Sequence, residues 1–279
     1  MSYKTIVAVL RSESDCEPVL NASISLCSQN GAHLIGIHAE PTMRVAYTAP
    51  MEIPDPTIYQ LDEEEIQKRS SLVEKKFRDR CNAEGVSFEW RSVRSPTGDG
   101  AVSAVSSAHC ADIVVLLQRN PDNTNDYADL ESLVFESGRP VLFVPYTGHS
   151  GKPVKSVLVA WNATRESTRA VFDALPLLMA AEKVEIFIVD PKDTLEQSAS
   201  MAGAEIAATL SRHGINVTVS SQSSGGVPAA SIIENRMSDT QADLLVMGAY
   251  SHSRIKEFLF GGVTHTLLDS MTNLTLMSR

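Results

Sequence analysis

Short, continuous apolar runs alternate along this chain with longer segments of helical periodicity. The run at 5–10 is typical of a central strand in a parallel sheet, because such a strand is buried on both faces. Residues Val171, Leu175, Leu178 and Met179 have the spacing of one apolar helix face. This alternation predicts an α/β fold with a doubly wound parallel sheet.

The pattern occurs twice, so an internal repeat organises the sequence. We predict two tandem domains, 1–147 and 153–279, each a five-stranded parallel sheet flanked by helices. The segment 146–153, with two glycines and one proline, is the predicted linker. The matching strands are 5–10 and 156–161, 33–38 and 184–189, 86–93 and 215–221, 112–117 and 243–247, and 140–144 and 273–277; the long helices are 62–84 and 194–213.

One long connection lies between the second strand and the second helix of the first half. Residues 41–60 contain four prolines and no periodicity. They predict a surface loop, and a lid or a dimer contact is the alternative. In the second half, the third strand, 215–221, alternates in the way that a half-exposed strand does.

Two clusters of small residues follow the apolar run 243–247 and flank a short helical segment, 254–260. The first cluster begins at Gly248 and includes Ser251. The second opens another helix and consists of Gly261, Gly262, Val263 and Thr264. Glycine turns and a helix N-terminus direct backbone N–H groups to one place, which suits phosphate. The alternative is two ordinary glycine turns.

Ligands of doubly wound sheets bind beyond the carboxyl ends of the strands, so the turn after the first strand matters too. In the second half this turn carries Asn162. Its carboxamide could hydrogen-bond a sugar hydroxyl or a base, or it could cap the following helix. Both alternatives stay open at this point.

Comparison of the two halves predicts one phosphate site in the chain. Leu117 of the first half aligns with Gly248, and Asp129 aligns with Gly262 when the halves are aligned from their last strands. A leucine in the crevice would exclude phosphate, and a carboxylate at a helix N-terminus would repel it. We therefore interpret the first half as a structural copy without a site.

Charge and cysteine content narrow the choice of partners. The net charge of −10 argues against nucleic acid and anionic membranes. Residues 1–150 carry 13 Lys and Arg against 21 Asp and Glu, whereas residues 151–279 carry 11 against 13, so the second half suits an anion better. The four cysteines lie in the first half without a Cys-x-x-Cys pair, which predicts free thiols and no metal site. No apolar run spans a bilayer, and we expect a cytoplasmic protein.

The glycine motif resembles the nucleotide signature of the universal stress proteins, Gly-x2-Gly-x9-Gly-(Ser/Thr) after the fourth strand. Here it reads Gly248-x2-Ser251-x9-Gly261-Gly262-Val263-Thr264. Ser251 replaces the second glycine, Gly262 replaces the final Ser/Thr, and Asn162 stands where the family usually has Asp. The resemblance covers essentially the whole chain, which looks like a tandem, two-domain member.

This resemblance implies ATP or a related adenine nucleotide, with Mg²⁺ as a companion of the phosphates. Adenine and ribose would lie near the ends of the first two strands, at Asn162 and Val189, and the phosphates would lie at the glycine motif. It also implies an intrachain pseudo-dimer through the last strands, 141–144 and 274–277. A homodimer and an unknown protein partner are further expectations.

The predicted role is nucleotide binding in stress response or signalling. His252 and His265 lie near the predicted site, but no residue is identified as a catalytic base, so slow ATP hydrolysis is the most activity we expect. An interaction scaffold of the same fold without a nucleotide is the alternative. An adenylate-forming or hydrolytic enzyme is a third reading, which lacks a candidate acid or base.

Overall fold

The computed structural model describes residues 2–41, 56–120, 128–147, 151–191, 201, 203–249 and 263–279. The strands are β1 (Thr5–Val9), β2 (His33–Pro41), β3 (Phe88–Ser95), β4 (Ile113–Leu117), β5 (Val141–Val144), β6 (Ser156–Ala160), β7 (Lys183–Val189), β8 (Val217–Gln222), β9 (Leu244–Gly248) and β10 (Leu274–Ser278). The helices are α1 (Glu13–Asn30), α2 (Pro56–Ala83), α3 (Gly100–Ala108), α4 (Leu130–Glu136), α5 (Arg165–Asp173), α6 (Leu175–Ala180), α7 (Ala204–Arg212), α8 (Ala229–Thr240) and α9 (Val263–Ser270).

The ten strands form one sheet, in the order β3-β2-β1-β4-β5-β10-β9-β6-β7-β8. Neighbours are parallel except at the centre, where β5 and β10 are antiparallel. Leu142 faces Leu276 at this seam, and both are buried. The predicted pairing of the last strands is therefore observed within the chain, and it joins two doubly wound halves into a continuous sheet.

The internal repeat is visible in individual hydrogen bonds. Asp112 Oδ2 accepts bonds from the backbone N–H groups of Lys4 (2.6 Å) and Thr5 (2.9 Å). Asp243 Oδ2 accepts the same pair from Lys155 and Ser156, both at 2.9 Å. In each half, one carboxylate thus connects the start of the fourth strand to the start of the first. Asp112 and Asp243 are therefore counterparts, as the sequence alignment has them.

Helices cover both faces of the sheet and bury an apolar core against each. Helices α1, α2, α5, α6 and α7 contribute to one core, and α3, α4, α8 and α9 to the other. The connections after the first two strands of each half lie on one face and the later ones on the other. The direction of winding consequently reverses between β1 and β4, and again between β6 and β9.

Some local expectations were wrong. The helix predicted around 171–179 is divided into α5 and α6 close to Pro176, which has no N–H to donate. Met179 is exposed, although its spacing placed it on the buried face. Helix α2 begins at Pro56, so the predicted loop is shorter by its last five residues. Its remainder, 42–55, lies outside the described residues. The third strand of the second half does not alternate strictly along β8.

The described residues also show whether a helix could span a membrane, whether the cysteines are paired and whether side chains cluster as metal ligands. None of the described helices is long and apolar enough to cross a bilayer. The four cysteines are free, with Cys110 exposed and the others buried. Among the described residues, no cluster of three or more His, Cys, Asp or Glu could hold a metal ion.

Candidate functional site

The reversal between β6 and β9 places several predicted site residues at one edge of the sheet, the edge formed by the carboxyl ends of the strands. Asn162 follows β6, Val189 ends β7 and Gly248 ends β9, and these three strands are neighbours. Val263 and Thr264 open α9, the helix that connects to β10. Ser251, Gly261 and Gly262 lie outside the described residues, as does His252.

The turn after β6 resolves one alternative that the sequence left open. Thr164 caps α5: its Oγ1 accepts a bond from the Ser167 N–H (3.3 Å), and the Ser167 hydroxyl accepts one from the Thr164 N–H (3.1 Å). Asn162 Oδ1 accepts bonds from the Thr164 N–H (3.3 Å) and hydroxyl (2.8 Å). Asn162 therefore supports the cap residue instead of being the cap. It is exposed, and its Nδ2 donor takes part in neither bond.

Backbone strain is concentrated at this edge. Ala163, directly after Asn162, has φ 57°, and Asp190, directly after β7, has φ 49°. Among the described residues, Gln241 is the one other non-glycine residue with positive φ. A left-handed alanine costs about 1–2 kcal/mol, and residues held in this way cluster at functional sites.

Gly248 has a packing role that the sequence did not reveal. A Cβ at this position would lie 2.4 Å from the backbone N of Ser167 and 2.5 Å from the carbonyl carbon of Glu166. The absent side chain therefore lets the first turn of α5 pack against the end of β9. The glycine thus brings a helix N-terminus to this edge of the sheet, and its contact with phosphate stays a prediction.

The first turn of α9 carries the last two predicted residues. Val263 is partly buried, and Thr264 is buried at 3% exposure. His265 is exposed, and its Nδ1 lies 3.5 Å from Asp269 Oδ2, one turn further along the same helix face.

An arginine occupies the equivalent edge of the first half. Arg11 is the counterpart of Asn162, because each follows a residue whose N–H bonds to the second strand of its half. Arg11 Nε donates to Asp15 Oδ2 (3.0 Å), and Nη2 donates to the carbonyl oxygens of Leu117 (3.1 Å) and Gln118 (3.3 Å). The side chains of Arg11 and Asp15 are only 12% and 6% exposed. The Arg-x3-Asp spacing, a helical ion-pair spacing, is the signal that our sequence analysis missed.

A second cluster of ionisable side chains lies at the end of β2. His38 Nε2 lies 3.1 Å from Glu40 Oε1, and Arg69 Nη2 donates to Glu40 Oε2 at 3.1 Å. His38 Nδ1 also lies 2.6 Å from the carbonyl oxygen of Leu10. His38 and Glu40 are both buried. The first-half edge is therefore filled with paired charges.

Asp129 caps α4, as its place before that helix implied. Its carboxylate accepts bonds from the N–H (2.8 Å) and the hydroxyl (2.5 Å) of Ser132. The buried positions of the two helices coincide when Leu133 is aligned with Leu267. This alignment makes Asp129 the counterpart of Val263, whereas the sequence alignment made it the counterpart of Gly262. The predicted carboxylate is nevertheless at the N-terminus of α4.

These features define a doubly wound α/β protein with a reversal of strand order in each half, the place where proteins of this class bind ligands. The model of the universal stress protein family matches residues 153–277. No protein of curated function matches the sequence significantly. This match assigns the segment 153–277 to the universal stress protein family.

Solved structures extend the likeness in fold to the rest of the chain. A universal stress protein from Archaeoglobus fulgidus DSM 4304 has a TM-score of 0.72 at 15% identity, covering 100% of this chain and 97% of its own. A putative universal stress protein from Pseudomonas aeruginosa UCBPP-PA14 has a TM-score of 0.53 at 15% identity, covering 99% and 93%. A shorter one from Archaeoglobus fulgidus, in complex with dAMP, has a TM-score of 0.33 at 15% identity and covers 50% and 96%.

Proposed function

We propose that the second half binds one adenine nucleotide, ATP or a close relative, and that the chain acts in stress response or signalling. The proposed contacts are Asn162, Val189, Gly248, Ser251, Gly261, Gly262, Val263 and Thr264. One observation carries the proposal: of two edges with the same strand order, the first is closed by Arg11, whereas the second has the neutral Asn162 in that place.

Each part of the proposed ligand has its own proposed contact. Val189, partly buried at the end of β7, offers an apolar contact for adenine. The exposed carboxamide of Asn162 offers an Nδ2 donor for ribose oxygens. Phosphates would be held by N–H groups of the glycine motif and by the N-terminus of α9, where the helix carries partial positive charge.

The proposal extends to the organisation of the protein. The two domains would be 1–147 and 153–279, and the first would support the sheet without binding a nucleotide. Mg²⁺ would arrive with the phosphates, and we propose no protein ligand for it. We place the protein in the cytoplasm and assign it no catalytic base.

Isothermal titration of the purified full-length chain with ATP tests the proposal. We expect one ATP per chain. Gly262→Asp should abolish binding, because the new carboxylate would repel phosphate at the start of α9. The matched control is Ala128→Asp, which places the same charge at the counterpart position before α4 and should leave the affinity unchanged.

Three results would contradict the proposal. Absence of binding at millimolar ATP in a folded sample would favour the scaffold without a nucleotide. Two ATP molecules per chain would mean that the Arg11 edge also binds. Equal losses in the Gly262→Asp and Ala128→Asp variants would place the site elsewhere.

A further inference from the structure

A buried glutamine of the first half reaches the helix that opens at the proposed site. Gln118 directly follows β4 and has 0% exposure. Its Nε2 donates to the carbonyl oxygen of Leu268 in the last turn of α9, at 2.8 Å. Its Oε1 accepts the backbone N–H of Tyr146 at 3.2 Å. One carboxamide therefore joins the segment after β5 to a helix of the other half.

This bond fixes the carboxyl end of α9. The last four carbonyl groups of a helix have no partner within it, and Gln118 provides one for Leu268. On the surface beside it, Arg119 Nη2 lies 3.1 Å from Asp269 Oδ1. Because α9 has eight residues and is about 12 Å long, a displacement of one end also moves the other.

The contact is asymmetric although the fold is repeated. The N–H of Gln118 bonds to the carbonyl oxygen of Val144 (2.7 Å), and the N–H of Ala249 bonds in the same way to Ser278 (2.9 Å), so Gln118 and Ala249 are counterparts. Alanine has no side-chain donor. Ala249 therefore cannot return this bond to α4, and the helix that Gln118 supports is the one at the proposed nucleotide site.

We propose that Gln118 is a positioning residue for the nucleotide site of the other half. By holding the carboxyl end of α9, it sets where the N-terminal N–H groups at Val263 and Thr264 stand relative to Gly248. The first half thus contributes to binding through the placement of a helix, without touching the ligand. This inference rests on the proposed function.

The test compares Gln118→Met with a variant in α4 that we expect to lower the free energy of unfolding by a similar amount. Methionine has nearly the same length and cannot donate a hydrogen bond. Val134→Ala removes a buried group from α4, at the counterpart of Leu268, and leaves the α9 contact intact. We expect Gln118→Met to weaken ATP binding about tenfold, the value of a lost buried hydrogen bond, and Val134→Ala to leave it unchanged.

Amide hydrogen exchange of the ligand-free protein provides the second measurement. Gln118→Met should raise exchange in 263–271, whereas Val134→Ala should raise it around α4. Unchanged exchange in α9 would overturn the proposal, as would equal losses of ATP affinity in both variants. If the wild-type protein binds no ATP, the proposed function fails, and exchange in α9 still decides whether Gln118 positions that helix.

Discussion

The carboxyl-end edges at β1–β4 in the first half and at β6–β9 in the second have the same strand order. They differ in the side chain that follows the first strand, which is a charged arginine in one and a neutral asparagine in the other. Asp112 and Asp243 make identical bonds at the amino ends of these strands, yet Arg11 and Asn162 differ at the carboxyl ends. The sheet requires the first pair of contacts, since they join two strands. It does not require a particular residue in the turns, so the two copies can differ there without loss of the fold.

The largest difference between the edges should appear in stability. Arg11→Ala would leave Asp15 buried without its cation, and we expect a loss of about 3–5 kcal/mol in the free energy of unfolding. The counterpart variant, Asn162→Ala, removes exposed hydrogen bonds and should cost about 1 kcal/mol or less. Urea unfolding measures both. Equal costs for the two variants would contradict the idea that Arg11 closes the first edge.

The helix caps should show equal stability effects and unequal effects on binding. Asp129→Ala and Thr164→Ala each remove a side-chain cap, at α4 and α5, and each should cost about 1 kcal/mol. Because α5 begins at the proposed site, Thr164→Ala alone should weaken ATP binding in titrations. A loss of affinity in Asp129→Ala would argue for a role of the first edge in binding.

Backbone strain should distinguish the turns after β1 and β6. Ala163→Gly should stabilise the protein by up to about 1 kcal/mol in thermal or urea unfolding, because glycine adopts φ 57° without a penalty. Its counterpart Ser12 has φ −151° and a hydroxyl that donates to Asp15, so Ser12→Gly should destabilise. A destabilised Ala163→Gly variant would contradict the assignment of strain.

The smallest expected effect concerns the four cysteines of the first half, whose reactivity in the folded protein should follow mainly their burial. Burial raises the pKa of Cys27 to about 12 and the pKa values of Cys16 and Cys81 to about 11. A raised pKa suppresses the reactive thiolate, so these three should stay inert in the folded protein up to pH 9. An aromatic disulfide reagent should detect one thiol, exposed Cys110, and all four in denaturant. A second reactive thiol in the folded state would contradict the core that the structure describes.

Regular parts of the fold could be predicted from local pattern. Both sets of strands, the repeat and the pairing of the last strands agree with the structure. The details that failed or were missed depend on which elements pack against each other. Met179 has core spacing yet is exposed, and the space that a side chain at Gly248 would fill is taken by α5. A sequence window does not reveal which element packs on which.

The candidate site also has parts that the sequence could predict and parts that it could not. Asn162, Val189 and Gly248 could be placed at one edge because parallel strands of a doubly wound sheet end together. The Arg-x3-Asp spacing could have indicated the pairing of Arg11 with Asp15. The bonds of Arg11 and Gln118 across the fold could not be predicted, since their acceptors are backbone carbonyls, 106 and 150 positions away in the chain. Carbonyl groups are present at every residue, so no sequence pattern singles these out.

The sequence by itself determined the architecture of this protein, because apolar periodicity and the repeat leave few ways to bury the strands. It also determined where along the chain the glycine motif of the proposed site lies. Only the tertiary structure decided that the first edge is closed by its own arginine and that α9 is held from the other half. Those outcomes depend on distances between residues that are far apart in the chain, and the packed sheet is what brings them within reach.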